Sequence, residues 1–377
     1  MKILHLSTRL NMKYGGGEKF LEQLITSLDK HEHIFIGQDE VIYNIFKKHA
    51  KEAHYSSAGY EPITLKRKFF IPLSFILGFL QFIRYYKFFK NADIIFVSAS
   101  SIAEPIFLLP WIQLFFPKKR LIQTMHCMCI DYYWKNPLVS ILRKTWSKME
   151  FIFISQNQMN DWKTHNLSGL KNYLIYNGVE IHEDNFKSKT NLDVLNIGYI
   201  GRMYYQKGVD TMIKAISKLD HSDIKINLLM AGEGEDLDNF VKLQKSLKYK
   251  SNIEFKWLGF ESNTKEFYEK CDLIIFPSWI ETFSLVLLEA WERGLPVITS
   301  NIPAFIEAKK YMPKMENDLT FSLKNEIDLA KKINYFIKNL NTYTSSEYKN
   351  NLHNCIKIRF SKEKVFSQYN DLLKNKT

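Results

Sequence analysis

Apolar positions along the chain follow two rhythms. Short, nearly unbroken apolar runs alternate with longer stretches in which apolar residues recur every three or four positions. In the first half the runs are KILHLS, HIFIG, ADIIFVSAS, RLIQTMH, FIFIS and NYLIYNG. Between the first two, GEKFLEQLITSLDK sets Phe20, Leu21, Leu24, Ile25 and Leu28 on one side of a helix. A strand apolar on both faces must be covered on both faces, and helices with one apolar stripe do the covering. The rhythm lapses over VEIHEDNFKSKTNLD, residues 179–193, which reads as a linker. It resumes with LNIGYIG, KINLLMAG, NIEFKWLG, DLIIFPS and LPVITS. The predicted architecture is α/β, with two doubly wound, Rossmann-like parallel-sheet domains.

Composition agrees with this division. The chain has 377 residues, 46% of them hydrophobic, which suits two domains of about 150–200 residues better than one core. Its 28 Phe, 20 Tyr and 7 Trp supply enough apolar area to exclude a disordered chain. Cys127, Cys129, Cys271 and Cys355 are sparse and irregularly spaced, as in a reducing compartment. Cys127 and Cys129 form a C-x-C pair with no second pair at matching spacing, so no metal is expected there. The apolar stretch at the start is too short for a secretory signal. The longest apolar run, Phe69 to Ile83, is interrupted by Pro72 and Gln81, and a bilayer span needs about 18 residues. A cytoplasmic protein, not integral to a membrane, is expected.

Charge is uneven. The formal net charge is +12; residues 1–190 hold 25 Lys and Arg against 16 Asp and Glu, and the rest 27 against 24. Such an excess suits nucleic acid, an acidic membrane surface or a phosphorylated substrate. The basic residues do not interleave with aromatics in a pattern known from nucleic-acid binders, so a basic nucleic-acid-binding α/β protein is the alternative and no nucleic acid is expected.

In open parallel sheets, ligands sit beyond the carboxyl ends of the strands. Three motifs fall there. In GRMYYQKG, Gly201 to Gly208, Arg202 and Lys207 stand in a loop between a strand ending at Ile200 and a helix starting near Val209. Two cations beside a helix N-terminus suit a diphosphate, or are simply solvated charges. In ETFSLVLLE, Glu281 follows the strand of DLIIFPS, a helix starts over Thr282 to Ala290 with Leu285, Val286 and Leu288 as its anchors, and Glu289 lies about two turns in. Carboxylates accept hydrogen bonds from paired sugar hydroxyls. The alternatives are a favourable charge at a helix start for Glu281 and a solvated face for Glu289. In LNMKYGGGEKF, Gly15, Gly16 and Gly17 let backbone amides approach a ligand, or form a flexible turn.

Together, G-R-x(4)-K-G and E-x(7)-E resemble the nucleotide-sugar site of the retaining family 4 (group 1) glycosyltransferases of the GT-B fold. QTMHC, FISQNQ, IYNGVE, LLMAGEGE, WLGF and FSKEKVFSQYNDLL also match, so the resemblance spans nearly the whole chain and is weakest over residues 40–90. It implies two domains facing a central cleft. Residues 1–180 would bind the acceptor, residues 181–359 the nucleotide sugar, and a last helix over about 360–377 can pack back on the first domain. It further implies that Arg202 and Lys207 hold the donor diphosphate and that Glu289 accepts from the ribose. Glu281 would meet the transferred sugar, helped by amides of Phe283 and Ser284, with Gly201, Thr282 and Leu285 also lining the donor. Gly259 and Phe260 would flank the base, His126 would reach the sugar, and Gly16 and Gly17 would lie near phosphate or acceptor. Family members often have Asp after that histidine; Cys127 stands here, which leaves the histidine-plus-acid arrangement open. A packed histidine is the plain alternative for His126. The implied reaction moves a sugar from a UDP- or GDP-type donor to a hydroxyl with retention, needing no cofactor and no metal. Another nucleotide-sugar enzyme on this scaffold, such as an epimerase, or a glycan phosphorylase is the competing chemistry.

One further feature bears on partners. Lys66, Arg67 and Lys68 precede an apolar, aromatic stretch that Arg84, Lys87 and Lys90 follow, and IFLLPWIQLFFP ends in Lys118, Lys119 and Arg120. Basic ends around apolar helices suit an anionic membrane interface, and so a lipid-linked glycan acceptor at the inner leaflet. Ordinary sheet-covering helices are the alternative.

Overall fold

A computed structural model describes residues 1–7, 16–37, 40–55, 71–97, 107–128, 143–165, 168–183, 186–189, 193–220 and 224–375. The chain forms two compact units, Met1–Asn177 with Val365–Thr377, and Gly178–Lys364.

The first unit holds a seven-stranded sheet in the order β3-β2-β1-β4-β5-β6-β7, every pairing parallel. The strands are β1 Lys2–Ser7, β2 Glu32–Gly37, β3 Glu52–Tyr55, β4 Ile94–Val97, β5 Arg120–Met125, β6 Glu150–Phe153 and β7 Lys171–Leu174. Consecutive strand residues feed opposite cores, as the pleat requires. Leu4, Leu6, Ile95 and Val97 enter one, while Ile3, Ile94 and Phe96 enter the other. Helix Gly16–Ser27 covers the second face with Phe20, Leu21, Leu24 and Ile25. The last helix, Lys362–Lys374, adds Val365, Phe366, Tyr369, Leu372 and Leu373 to that core. Arg120 holds its end: the guanidinium pairs with Glu150 at 2.6 and 2.8 Å and donates to the carbonyls of Leu372 and Leu373 at 2.9 and 3.1 Å.

The second unit holds a six-stranded parallel sheet in the order β10-β9-β8-β11-β12-β13. Its strands are β8 Val194–Ile200, β9 Lys225–Ala231, β10 Ile253–Gly259, β11 Leu273–Phe276, β12 Val297–Ser300 and β13 Thr320–Phe321. Strand order reverses between β8 and β11, as it does between β1 and β4 in the other sheet. At such a reversal the two neighbouring loops leave in opposite directions and open a crevice at the carboxyl edge. Residues 179–183 do more than link. Val179 forms a parallel bridge with Ser361, and Glu292 Oε1 accepts from the His182 amide at 2.8 Å.

Three readings change. β3 and β13 escape the sequence pattern because both are short edge strands, β3 with no buried residue. The helix expected from Thr282 starts at Leu285, and its buried face is Leu287, Leu288, Ala290 and Trp291, with Leu285 and Val286 half-buried beside Glu289. Arg120 and Lys119 are not membrane-facing cations. Arg120 is in the ion pair above, and Lys119 donates to the carbonyls of Lys90 and Ala92.

Candidate functional site

The crevice of the second sheet is built by the loops after β8 and β11. Gly208 ends the β8 loop with φ +68, and a Cβ there would lie 2.1 Å from the Pro277 carbonyl oxygen. Only glycine lets the two loops come this close. Across the gap, Lys207 Nζ pairs with Glu281 Oε1 at 2.7 Å, and Ser278 Oγ donates to the same oxygen at 3.0 Å. Both charged side chains are partly open, 31% and 15% exposed. A ligand can therefore reach them while the surrounding protein holds them. Arg202, exposed, leaves the same loop; its carbonyl accepts from Tyr199 Oη at 3.1 Å. Burial and the nearby Glu281 charge push the Tyr199 phenol well above its usual range, so it stays a neutral donor.

Two helix starts face this edge. Val209–Ile216 has Gly208 at its N-cap and Leu285–Glu292 has Ser284, and neither makes a side-chain capping bond. No side chain competes for their first amides, and a helix N-terminus favours an anion. Glu289 Oε2 accepts from Tyr268 Oη at 3.2 Å. Tyr268 is fully buried, and burial with the Glu289 charge raises its pKa well above normal. Pattern reasoning missed Tyr268, because nothing in its helix, Thr264–Glu269, distinguishes it from a core aromatic.

The loop after β9 is laced to its neighbours. Gly232, at φ +135, would clash with the Gly201 carbonyl through a Cβ 1.8 Å away, and its amide donates to Gly259 at 2.6 Å. Gly201 and Gly259 are thus held at the strand ends, and Phe260 projects beside them, 66% exposed. Thr282 is half-buried, whereas Phe283 and Ser284 are buried. The chain's D-x-D, Asp236-Leu237-Asp238, starts a helix there, and Asp236 Oδ2 accepts the Tyr205 amide at 2.8 Å. That carboxylate is engaged in holding the β8 loop.

The remaining expected residues belong to the first unit. His126 follows β5, half-buried, its ring 4.9 Å from that of Phe20. Gly16 and Gly17 open helix Gly16–Ser27, and Gly15 lies outside the described residues. The Cys127 carbonyl accepts from Gln158 at 2.8 Å and Trp162 at 3.2 Å, and Cys129 lies outside the described residues. A cavity of about 510 Å³ in this unit, lined by His31, His33, His49, Lys30 and Lys51, lies at the amino ends of β2 and β3, away from the ligand edge.

A parallel α/β unit with cations and carboxylates at its switch point suits a nucleotide or phosphate ligand, and comparisons narrow the class. Residues 180–352 match the family of group 1 glycosyl transferases. The O-antigen biosynthesis glycosyltransferase WclY of Escherichia coli is 28% identical over 274 residues, 68% of this chain and 72% of that one. The lipopolysaccharide core biosynthesis glycosyltransferase LpsE of Rhizobium meliloti is 26% identical over 51% of this chain and 54% of its own. Among solved structures, Anabaena Alr3699/HepE in complex with UDP and glucose superposes with a TM-score of 0.74 at 18% identity, covering 99% of both chains. WaaG, a glycosyltransferase involved in lipopolysaccharide biosynthesis, gives 0.66 at 12% identity over 99% and 100%. The fold is GT-B, and the match over the second unit supports a group 1 glycosyltransferase.

Proposed function

We propose that the protein moves a sugar from a UDP- or GDP-type donor to a hydroxyl of a lipid-linked glycan, with retention, in building a surface polysaccharide such as capsule or O-antigen. The observation that carries this is the Lys207–Glu281 pair across the switch point, flanked by two helix starts without side-chain caps. Lys207 and Arg202 neutralise the departing diphosphate, and the amides of Phe283 and Ser284 join them. Preorganised cations and dipoles do this without a divalent ion. Glu281 receives hydroxyls of the transferred sugar, and Glu289, steadied by Tyr268, receives the ribose. Thr282, Leu285 and Gly201 line the donor, and Gly259 and Phe260 border the base. His126, Gly16 and Gly17 serve the sugar and acceptor from the first unit. Front-side attack, in which the departing phosphate oxygen takes the acceptor proton, gives retention without a dedicated protein base. The O-antigen and core-lipopolysaccharide relatives and the UDP-bound structural neighbour support this class of substrates.

The lipid side of the proposal rests on helix Ile71–Arg84. Its Phe79 and Phe82 pack inward, yet its outer side carries Ile76, Leu80 and Ile83, each more than half exposed. Leu114 and Phe115, on the neighbouring helix Leu109–Phe115, are exposed as well, and Phe115 stacks 4.9 Å from Phe82. Exposed Arg84, Lys87 and Lys90 lie at and beyond the carboxyl end of Ile71–Arg84, and exposed Lys118 lies just beyond that of Leu109–Phe115. Exposed apolar helix faces with cations at their carboxyl ends suit an anionic bilayer interface, here the inner leaflet of a cytoplasmic enzyme. No helix among the described residues is long and apolar enough to cross a membrane.

The test is product stereochemistry. Incubation with UDP- and GDP-sugars and a lipid-linked acceptor, followed by NMR of the new linkage, should show the anomeric configuration of the donor. An inverted product removes the retaining assignment.

A further inference from the structure

We propose that Trp279 is a positioning residue: it locks together the loops that carry Lys207 and Glu281, and so fixes the spacing of the pair. This rests on the donor-site reading above. Trp279 stands two residues before Glu281, and its amide donates at 2.8 Å to the carbonyl of Gln206, the residue before Lys207. Its ring meets Tyr205 edge to face, with centroids 4.4 Å apart. On the β13 side, Lys324 Nζ lies 3.9 Å over the indole. Three loops thus converge on one side chain.

Two details show that the convergence is built. Lys324 has φ +61, the one positive φ at a non-glycine position among the described residues. A side chain disfavours this conformation, and it persists where the surroundings over-determine it. Here the neighbouring amide of Leu323 is fixed to Asn301 Oδ1 at 2.8 Å, while the lysine reaches the indole face, a cation–π contact. Gly208 supplies the room: a Cβ there would be 3.1 Å from Trp279 Nε1. That Nε1 is buried without a hydrogen-bond partner among the described residues. The indole is therefore located by packing between Tyr205 and Lys324, not by a polar anchor. A ring held this way transmits the position of one loop to the others.

The test compares Trp279→Ala, Trp279→Leu and Trp279→Phe with wild type by two readouts. The first is amide hydrogen exchange at Lys207 and Gly208 in the ligand-free protein, whose amides donate to the carbonyls of Tyr204 and Tyr205. The second is donor KM and kcat. Trp279→Ala and Trp279→Leu should speed exchange about tenfold or more. They should also lower kcat/KM by about 10–100-fold, with the melting midpoint nearly unchanged. Trp279→Phe, which keeps an aromatic face, should recover most of both. If the alanine variant does not fold, the leucine variant, which keeps the bulk, decides. Wild-type exchange in Trp279→Leu, or a phenylalanine variant no better than leucine, overturns the proposal. The exchange measurement needs no donor. A wild type that turns over no nucleotide sugar therefore counts against the donor-site reading, while exchange still decides whether Trp279 ties the loops.

Discussion

Lys207 and Glu281 lie 74 positions apart in sequence and 2.7 Å apart in space. Their motifs mark each as a candidate, yet no spacing rule states that they touch. Contact follows from strand order, because β8 and β11 are neighbours only once the sheet has assembled. The same holds for Glu289 and Tyr268, which meet between separate helices. Lys207→Ala removes a cation that strengthens its contact as diphosphate charge develops, and should slow turnover about 100-fold, roughly 3 kcal/mol. Little stability should be lost, since the side chain is partly exposed; a rate within a few-fold of wild type refutes the role. Glu281→Gln should lower kcat, its partner being the transferred sugar. Glu289→Gln should weaken binding of free UDP or GDP, which calorimetry measures directly. Equal losses of nucleotide affinity in both variants contradict this division of labour.

Elements were legible where hydrophobic burial dictates them. Apolar runs such as ADIIFVSAS and DLIIFPS become β4 and β11 because both faces of a central strand are covered. β3 and β13 were not legible, since edge strands owe their place to backbone pairing and need few apolar residues. The helix after Glu281 starts three residues late because Thr282, Phe283 and Ser284 are spent on the turn that brings the chain over the sheet. Helix Ile71–Arg84 is apolar on the side it buries and on the side it exposes, a pattern that marks an unusual helix without saying what covers it. If it meets a bilayer, the protein should float with liposomes containing anionic lipid at low salt and dissociate as salt rises, each basic residue contributing about 1 kcal/mol. Replacing Ile76, Leu80 and Ile83 with Asn should abolish flotation. Protein that stays soluble with neutral and anionic vesicles, at low and high salt, refutes membrane docking and leaves the donor chemistry standing.

At the scale of the molecule, two parallel-sheet units were readable from the repeated rhythm, but the buried His5–His33 pair of the first, which predicts acid sensitivity, was not. His33 Nε2 is 2.9 Å from the Leu28 carbonyl, which can only accept, so that nitrogen carries the proton. His33 Nδ1 then accepts from His5 Nε2 at 2.9 Å, leaving His5 Nδ1 bare, buried and unpartnered among the described residues. Burial, with His33 beside it, holds His5 well below 6.5, and burial lowers His33 as well. Below about pH 6.5 the unfolded chain therefore binds protons that the folded chain refuses. Stability present above that pH is lost as pH falls, by about 1.4 kcal/mol per pH unit for His5 until its folded pKa is reached. Urea denaturation at pH 7.5 and 5.5 should show the loss, and His5→Gln should reduce it; an unchanged slope in that variant contradicts the assignment. The central claim is that a nucleotide sugar sits at the Lys207–Glu281 crevice, and thermal denaturation with a panel of UDP- and GDP-sugars tests it most directly. A true donor at about 100 times its Kd should stabilise the wild type by about 2.7 kcal/mol, and much less at the same concentration in Lys207→Ala. A panel that shifts nothing, or a shift of equal size in the variant, contradicts the account.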